Sequence, residues 1–165
     1  MNEYIEIVKE ALKPVVTDFK IKSEKRVYVV VPKEKIIEAA RILFKDLKMR
    51  FAIASGIDTP QGIEIMYHFS PDAHNMLVNI SVLIKKDDLT IDSITPVVKG
   101  AAWIETEIRE MLGVRFKNHP GPKHLLLGED WPEDLHPLRR DNKDTRSTAA
   151  IRERLRRDGL LTASD

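Results

Sequence analysis

Three histidines, a pair of carboxylates and a late cluster of arginines are the side chains of this sequence best suited to chemistry. His119 precedes Pro120 in an irregular stretch, and an imidazole titrating near neutrality can serve there as a general base or a metal ligand. A metal centre needs three or four convergent ligands. His124 lies five residues on in the same stretch and His136 beyond it, neither at ligand spacing, so His119 reads as a structural or interface histidine. His68 and His74 read as a strand-face and a turn histidine. Glu105 and Glu107 sit two apart on a helical segment and therefore point roughly 200° apart, too divergent to share a substrate as a glycosidase pair does. The plain reading of Glu105 is an ion pair with Arg109 one turn on, worth a few tenths of a kcal/mol if exposed.

The remaining candidates suit contact better than catalysis. Trp103 and Trp131 are the two tryptophans. Core packing is the default for each, but Trp131 follows Glu129-Asp130 and precedes Pro132, a polar setting that favours an interface anchor. Arg139-Arg140-Asp141 has no aromatic platform beside it and carries an acidic neighbour, so it reads as a protein contact and not a nucleic-acid patch. Gly56 and Gly62 are isolated turn glycines outside any phosphate-loop pattern. With no cysteine, the chain cannot supply a cysteine nucleophile, a disulfide or a cysteine-ligated iron–sulfur or zinc site. A net charge of +1 gives no global field toward nucleic acid or anionic membrane.

These residues need elements to hold them. Ile104, Ile108, Met111 and Leu112 share one face of a helix running from about Gly100, and Gly113 supplies its stop. Upstream, Asn2 is an N-cap for a first helix carrying Tyr4, Ile5, Val8, Ala11 and Leu12, and Pro14 marks its end. Arg26 to Val31 reads as a strand, and Pro32 opens a second helix with an apolar stripe from Ile36 to Leu47. Arg50 to Ser55, Ile63 to Phe69 and Met76 to Ile84 read as strands joined by hairpin turns, and Leu89 to Ile94 as a short further strand. This order predicts a two-layer α+β domain over residues 1–113, with helices packed on a mixed, largely antiparallel sheet.

Residues 114–165 are expected to leave that body as a long extended, partner-wrapping segment. Between Pro120 and Pro137 it interleaves four prolines with Leu125, Leu126, Leu127, Trp131 and Leu135, and Leu138 follows; no flexible linker needs that apolar load. Its fixed shape from His119 to Asp141 is expected to depend on the partner. Nine of the 12 arginines follow Gly100 and 12 of the 15 lysines precede it, which places the residue that tolerates desolvation in the contact segment. Ala149, Ala150, Ile151 and Leu155 suggest a short amphipathic helix ending near Gly159. No run approaches the roughly 18 apolar residues of a membrane span, and the opening residues do not read as a signal peptide, so a soluble, cytoplasmic chain is expected.

The same region carries an ordered series of motifs: Glu105-Thr106-Glu107, Glu110-Met111-Leu112-Gly113-Val114, Phe116, His119-Pro120, Leu125-Leu126-Leu127, Glu129-Asp130-Trp131 and Pro137-Leu138-Arg139-Arg140-Asp141. The series resembles the signature of the thirty-kilodalton subunit of respiratory complex I, the NADH:quinone oxidoreductase, a family that includes the related hydrophilic subunit of membrane-bound energy-converting hydrogenases. Family members usually carry arginine at the place of Thr106 and aspartate at that of Glu110, and Thr106 together with the divergent Asn118 to His124 loop leans toward the hydrogenase-like branch.

The resemblance implies a cofactor-free structural and assembly subunit, peripheral on the cytoplasmic face of the membrane. Its implied partners are the large catalytic subunit, of the forty-nine-kilodalton or nickel–iron hydrogenase type, and a neighbouring iron–sulfur subunit. Iron–sulfur clusters, and nickel–iron in a hydrogenase, would belong to those partners. The residues assigned to the partner interface are Glu105, Glu107, Arg109, Phe116, His119, Trp131, Leu138, Arg139, Arg140 and Asp141. Two other classes remain: a small stand-alone enzyme using His119 and Glu107, and a nucleic-acid module using the arginine-rich tail from Arg152 to Arg157.

Overall fold

The computed structural model describes residues 3–121, 124–129, 131–140 and 148–159. Asn2, Asp130 and Asp141, each singled out above, lie outside the described residues. Strand periodicity sets the main layer. In β4 (Gly62–Ser70), Ile63, Ile65, Tyr67 and Phe69 are buried while Glu64, Met66 and His68 alternate on the more open face. β5 (Leu77–Ile84) buries Val78, Ile80, Val82 and Ile84, and β2 (Arg26–Val30) buries Val27 and Val29. With β1 (Asp18–Ser23) and β3 (Arg50–Thr59) they form a five-stranded sheet in the order β1-β2-β5-β4-β3. β2 and β5 run parallel and the other pairings are antiparallel.

Helices cover the buried face. α1 (Glu3–Leu12) turns Ile5, Val8 and Leu12 inward, with Glu3 and Glu6 in its first turn and Lys9 near its end, as the helix dipole favours. α2 (Ile36–Arg41) follows a short 3₁₀ turn and runs on into one wide turn, Ile42–Asp46, closed by Leu47 N–H donating to Ile42 O at 2.9 Å. α3 (Ala102–Leu112) packs Ile108 and Leu112 against the same core. Gly113, at φ 77°, ends α3 by donating its N–H to Arg109 O at 2.9 Å, in the left-handed cap that glycine adopts without penalty.

Several local details differ from expectation. β1 was not expected: it is an edge strand in which Phe19 packs partly against the core while Lys20, Ile21 and Lys22 stay in solvent. β3 runs four residues beyond Ser55, so Gly56 lies inside a strand and not in a turn. The short strand expected over Leu89 to Ile94 is present as β6 (Thr90–Asp92), which pairs in parallel with β7 (Arg115–Lys117) as a ribbon separate from the main sheet. The body therefore extends past the boundary expected at Gly113, since Val114 and Phe116 are buried in the core cluster. The tail helix is present as α4 (Thr148–Arg157).

Gly56 is a close-approach position. A Cβ there would lie 2.6 Å from Leu112 Cδ1 and 3.5 Å from Ile108, so α3 can cross β3 this tightly only over a glycine. Gly56→Val should lower unfolding stability in urea by about 2 kcal/mol through overpacking. Gly100→Ala, which meets nothing within 4 Å, should leave the midpoint unchanged within error.

Candidate functional site

Glu105 forms the buried hub beneath α3. Its Oε1 accepts from Tyr67 OH at 3.2 Å and from Ile94 N–H at 3.0 Å, while Oε2 accepts from Ser93 OH at 2.5 Å. Ser93 in turn is 2.6 Å from Thr95 Oγ1. Burial pushes the Glu105 carboxyl up from its ordinary value, and its three donors oppose that shift without cancelling it. The Tyr67 phenol is held well above its usual range by burial and by the Glu105 carboxylate.

His119 completes this side of α3. Its side chain is 2% exposed, Nδ1 accepts Gly121 N–H at 3.0 Å, and Nε2 faces Ala102 O at 2.9 Å. That pair of contacts assigns the neutral ring with its proton on Nε2. Burial depresses the imidazole, the Ala102 carbonyl opposes this, and Arg109 adds to it. Glu105 Oε2 is 3.8 Å from Nε2, too far for a hydrogen bond. His119 thus clamps the start of the C-terminal segment to the first turn of α3.

The C-terminal half of α3 holds the rest of that segment. Glu110, also buried, accepts Leu125 N–H at 2.6 Å and Leu126 N–H at 2.9 Å through its two oxygens. Its backbone carbonyl accepts from His136 Nδ1 at 2.8 Å, and Leu138 N–H donates to Met111 O at 3.0 Å. Farther along, Arg140 N–H donates to Asp58 Oδ2 at 2.8 Å at the end of β3. Lys86 Nζ lies 2.8 Å from Asp58 Oδ1, a charge contact outside hydrogen-bond angles, and Arg139 Nε is 3.7 Å from Oδ2. Residues 124–129 and 131–140 therefore lie as a strap fastened to their own domain. Glu110→Ala should release this strap: hydrogen exchange at Leu125 and Leu126 should quicken by about 30-fold as two part-buried amides lose a charged acceptor.

With the polar groups turned inward, the apolar ones are left outside. Trp103, expected in the core, is 73% exposed on α3, and it borders a pocket of about 220 Å³ with Thr106, Pro120, Gly121 and Leu125. Leu126 and Leu138 on the strap are exposed as well. Thr106 itself is buried and donates to Ala102 O in its own helix at 2.9 Å. No group of three or more metal-ligating side chains converges among the described residues.

A family model described as the respiratory-chain NADH dehydrogenase 30 Kd subunit matches residues 29–148. The chain belongs to this family. Among its relatives is the C subunit of the NADH-quinone oxidoreductase of Citrifermentans bemidjiense, 32% identical over 70% of this chain and 73% of the relative. The C subunit of the F(420)H(2) dehydrogenase of Methanosarcina mazei is 33% identical over 73% of this chain and 78% of its own length. Component G of Escherichia coli hydrogenase-4 is 40% identical over 45% of this chain, which spans 13% of that protein. The chain likewise spans 46% of the NADH-quinone oxidoreductase C subunit from a Nocardioides species. In fold, it superposes with a TM-score of 0.76 on a chain of an archaeal membrane-bound sulfane sulfur reductase, 23% identical, covering 99% of this chain and 96% of that one.

Within this 30 kDa subunit fold, the structure redistributes the expected interface residues. Glu105, Phe116 and His119 occupy interior positions, where each fills the core or bonds to buried polar groups. Arg139, its side chain 14% exposed, bonds within the chain: Nη1 donates to Leu112 O at 3.3 Å, capping the end of α3. Trp131 is half-buried and spends its Nε1–H on Leu135 O at 2.7 Å. Arg109 lines a cleft of about 470 Å³ between α3 and the strap, with Arg115 and His124. Glu107 and Leu138 border an outer groove, and Arg140 is exposed. His119 meets Glu105 and not Glu107 in the structure, so the pair suggested for a stand-alone enzyme does not form. Sequence reading missed Trp103 and Asp58. The signal for Trp103 was its place one residue outside the Ile104–Ile108–Leu112 stripe; Asp58 had none, since its partners lie 28 and some 80 residues away.

No helix among the described residues is long and apolar enough to cross a membrane.

Proposed function

We propose that this chain is a cofactor-free docking and assembly subunit in the cytoplasmic arm of a membrane-bound multi-subunit oxidoreductase, of the complex I or energy-converting hydrogenase type. It seats against the large catalytic subunit, beside an iron–sulfur subunit, and those partners carry the iron–sulfur and, in a hydrogenase, nickel–iron centres. One observation carries the reading: Glu105, Glu110, His119 and Arg139 hold α3 and the strap from within, which leaves Trp103, Leu126 and Leu138 as the outward apolar side. An exposed tryptophan beside an apolar pocket is the kind of anchor that dominates protein interfaces. The names of the relatives, all subunits or components of oxidoreductases, support the same assignment.

The test is to purify the tagged chain from its native membranes under mild detergent. The large and iron–sulfur subunits should co-elute at equal stoichiometry, and the chain stripped from them should have no redox absorbance or turnover. A stoichiometric flavin or metal on the separated chain would contradict the proposal.

A further inference from the structure

The two edges of the main sheet are treated very differently. β1 is six residues long and carries Asp18, Lys20 and Lys22, the charges that ordinarily keep an edge from pairing with another chain. β3 is ten residues long and, among the described residues, pairs with β4 alone. From Phe51 to Ile57 it reads FAIASGI, without a charge or a proline, and Ile53 and Ile57 are 53% and 59% exposed. Its pairing with β4 carries one irregularity, between Phe51 and Ile53, a device that can turn an edge from further pairing.

Beside this edge runs a groove of about 240 Å³, bounded by Ile53 and Gly56 on the strand and by Ile104, Glu107, Met111 and Leu138 on α3 and the strap. Glu107 stands apart from the other carboxylates of α3. Glu105 and Glu110 are saturated with donors, whereas Glu107, half-buried at an apolar wall, makes no hydrogen bond or ion pair among the described residues. An unpaired carboxylate there favours a cation from outside.

We propose that β3 receives an extended segment of a partner subunit as a sixth strand. Alternate apolar side chains of that segment enter the groove, and a lysine or arginine within it meets Glu107. Backbone pairing supplies the register, and the groove with Glu107 supplies the selectivity. A second copy of this chain fits less well, because its own β3 from Phe51 to Ile57 carries no lysine or arginine to meet Glu107. This inference rests on the docking reading above and specifies one mode of that docking.

A photo-crosslinking residue at position 53, carried by the full chain in its assembled complex, tests it together with hydrogen exchange. The adduct should map to an extended stretch of a partner subunit with alternating apolar residues and at least one lysine or arginine. Amides of Phe51–Ile57 should exchange at least about tenfold more slowly in the complex than in the separated chain. Glu107→Lys should cut recovery of the complex roughly tenfold, and Glu107→Gln by less. An adduct to a helix or to a second copy, or unchanged β3 exchange in an intact complex, would overturn strand addition while leaving the docking reading standing. If the wild-type chain recovers no partner subunit at all, both fall.

Discussion

Replacing Glu105 with alanine should lower the folding stability of the chain by about 3–5 kcal/mol, because it strands the buried Tyr67 OH and Ile94 N–H and leaves Ser93 OH only Thr95 Oγ1 as an acceptor. Tyr67 OH and Ile94 N–H both point at Oε1, and Ser93 OH at Oε2. The variant also leaves a cavity under α3. Glu105→Gln keeps the shape and most of the acceptors and should cost far less, so comparing the two separates hydrogen bonding from charge. It also isolates a pH effect. Burial holds the folded Glu105 carboxyl above its unfolded value of about 4.3, so the folded state retains a proton that the unfolded state has lost. Wild-type stability should therefore fall, relative to Glu105→Gln, as pH rises from about 4.3 through the raised folded value. His119 acts with the opposite sign: its depressed ring adds stability that is present above about 6.5 and is lost as pH falls toward the folded value, in both proteins alike. Urea unfolding from pH 4 to 8 reads both, and a Glu105→Gln difference that grew in favour of wild type with rising pH would mean an ionised, well-compensated carboxylate instead.

Trp103→Ala should weaken association with the large subunit by at least about 30-fold, corresponding to ~2 kcal/mol or more for loss of a tryptophan anchor. The same change should move the stability of the separated chain by no more than about 0.5 kcal/mol, since the ring is already in solvent. Trp131→Ala and Arg139→Ala should behave the other way round. Both side chains bond within the chain, Trp131 to Leu135 O and Arg139 to Leu112 O, so their loss should loosen the strap before any partner arrives. Competition binding with purified large subunit, set beside urea unfolding, tells the two classes apart.

Period and punctuation made much of the fold legible. The alternation in Ile63–Phe69, the helical stripe of α3 and the stop at Gly113 all stand where their spacing placed them. The family signature was legible for a different reason, as an ordered series of residue types over some forty positions. Which side each signature residue faces was not. Glu105 and Glu107 are the same residue type two positions apart, and only the tertiary placement of Ser93, Ile94 and Tyr67 decides that one answers buried donors and the other does not. β1 escaped notice because its alternation is short, Phe19 and Ile21 against Lys20 and Lys22, and its edge position leaves Ile21 in solvent. How the strap is held was not legible, because its prolines forbid regular structure and its anchors belong to α3 and to Asp58 at the end of β3, a long way off in sequence.

The ratio of turnover to assembly is the measurement that bears most directly on a docking role. Trp103→Ala, Leu126→Ser and Leu138→Ser should be compared with the surface control Lys85→Ala, quantifying the intact complex and its electron-transfer rate in the same membranes. Each outward variant should lose complex and turnover in equal proportion, leaving the rate per assembled complex at the wild-type value, and Lys85→Ala should change neither. Complexes that assemble in full yet lose turnover would contradict the docking role and move these residues into a substrate path or a catalytic site.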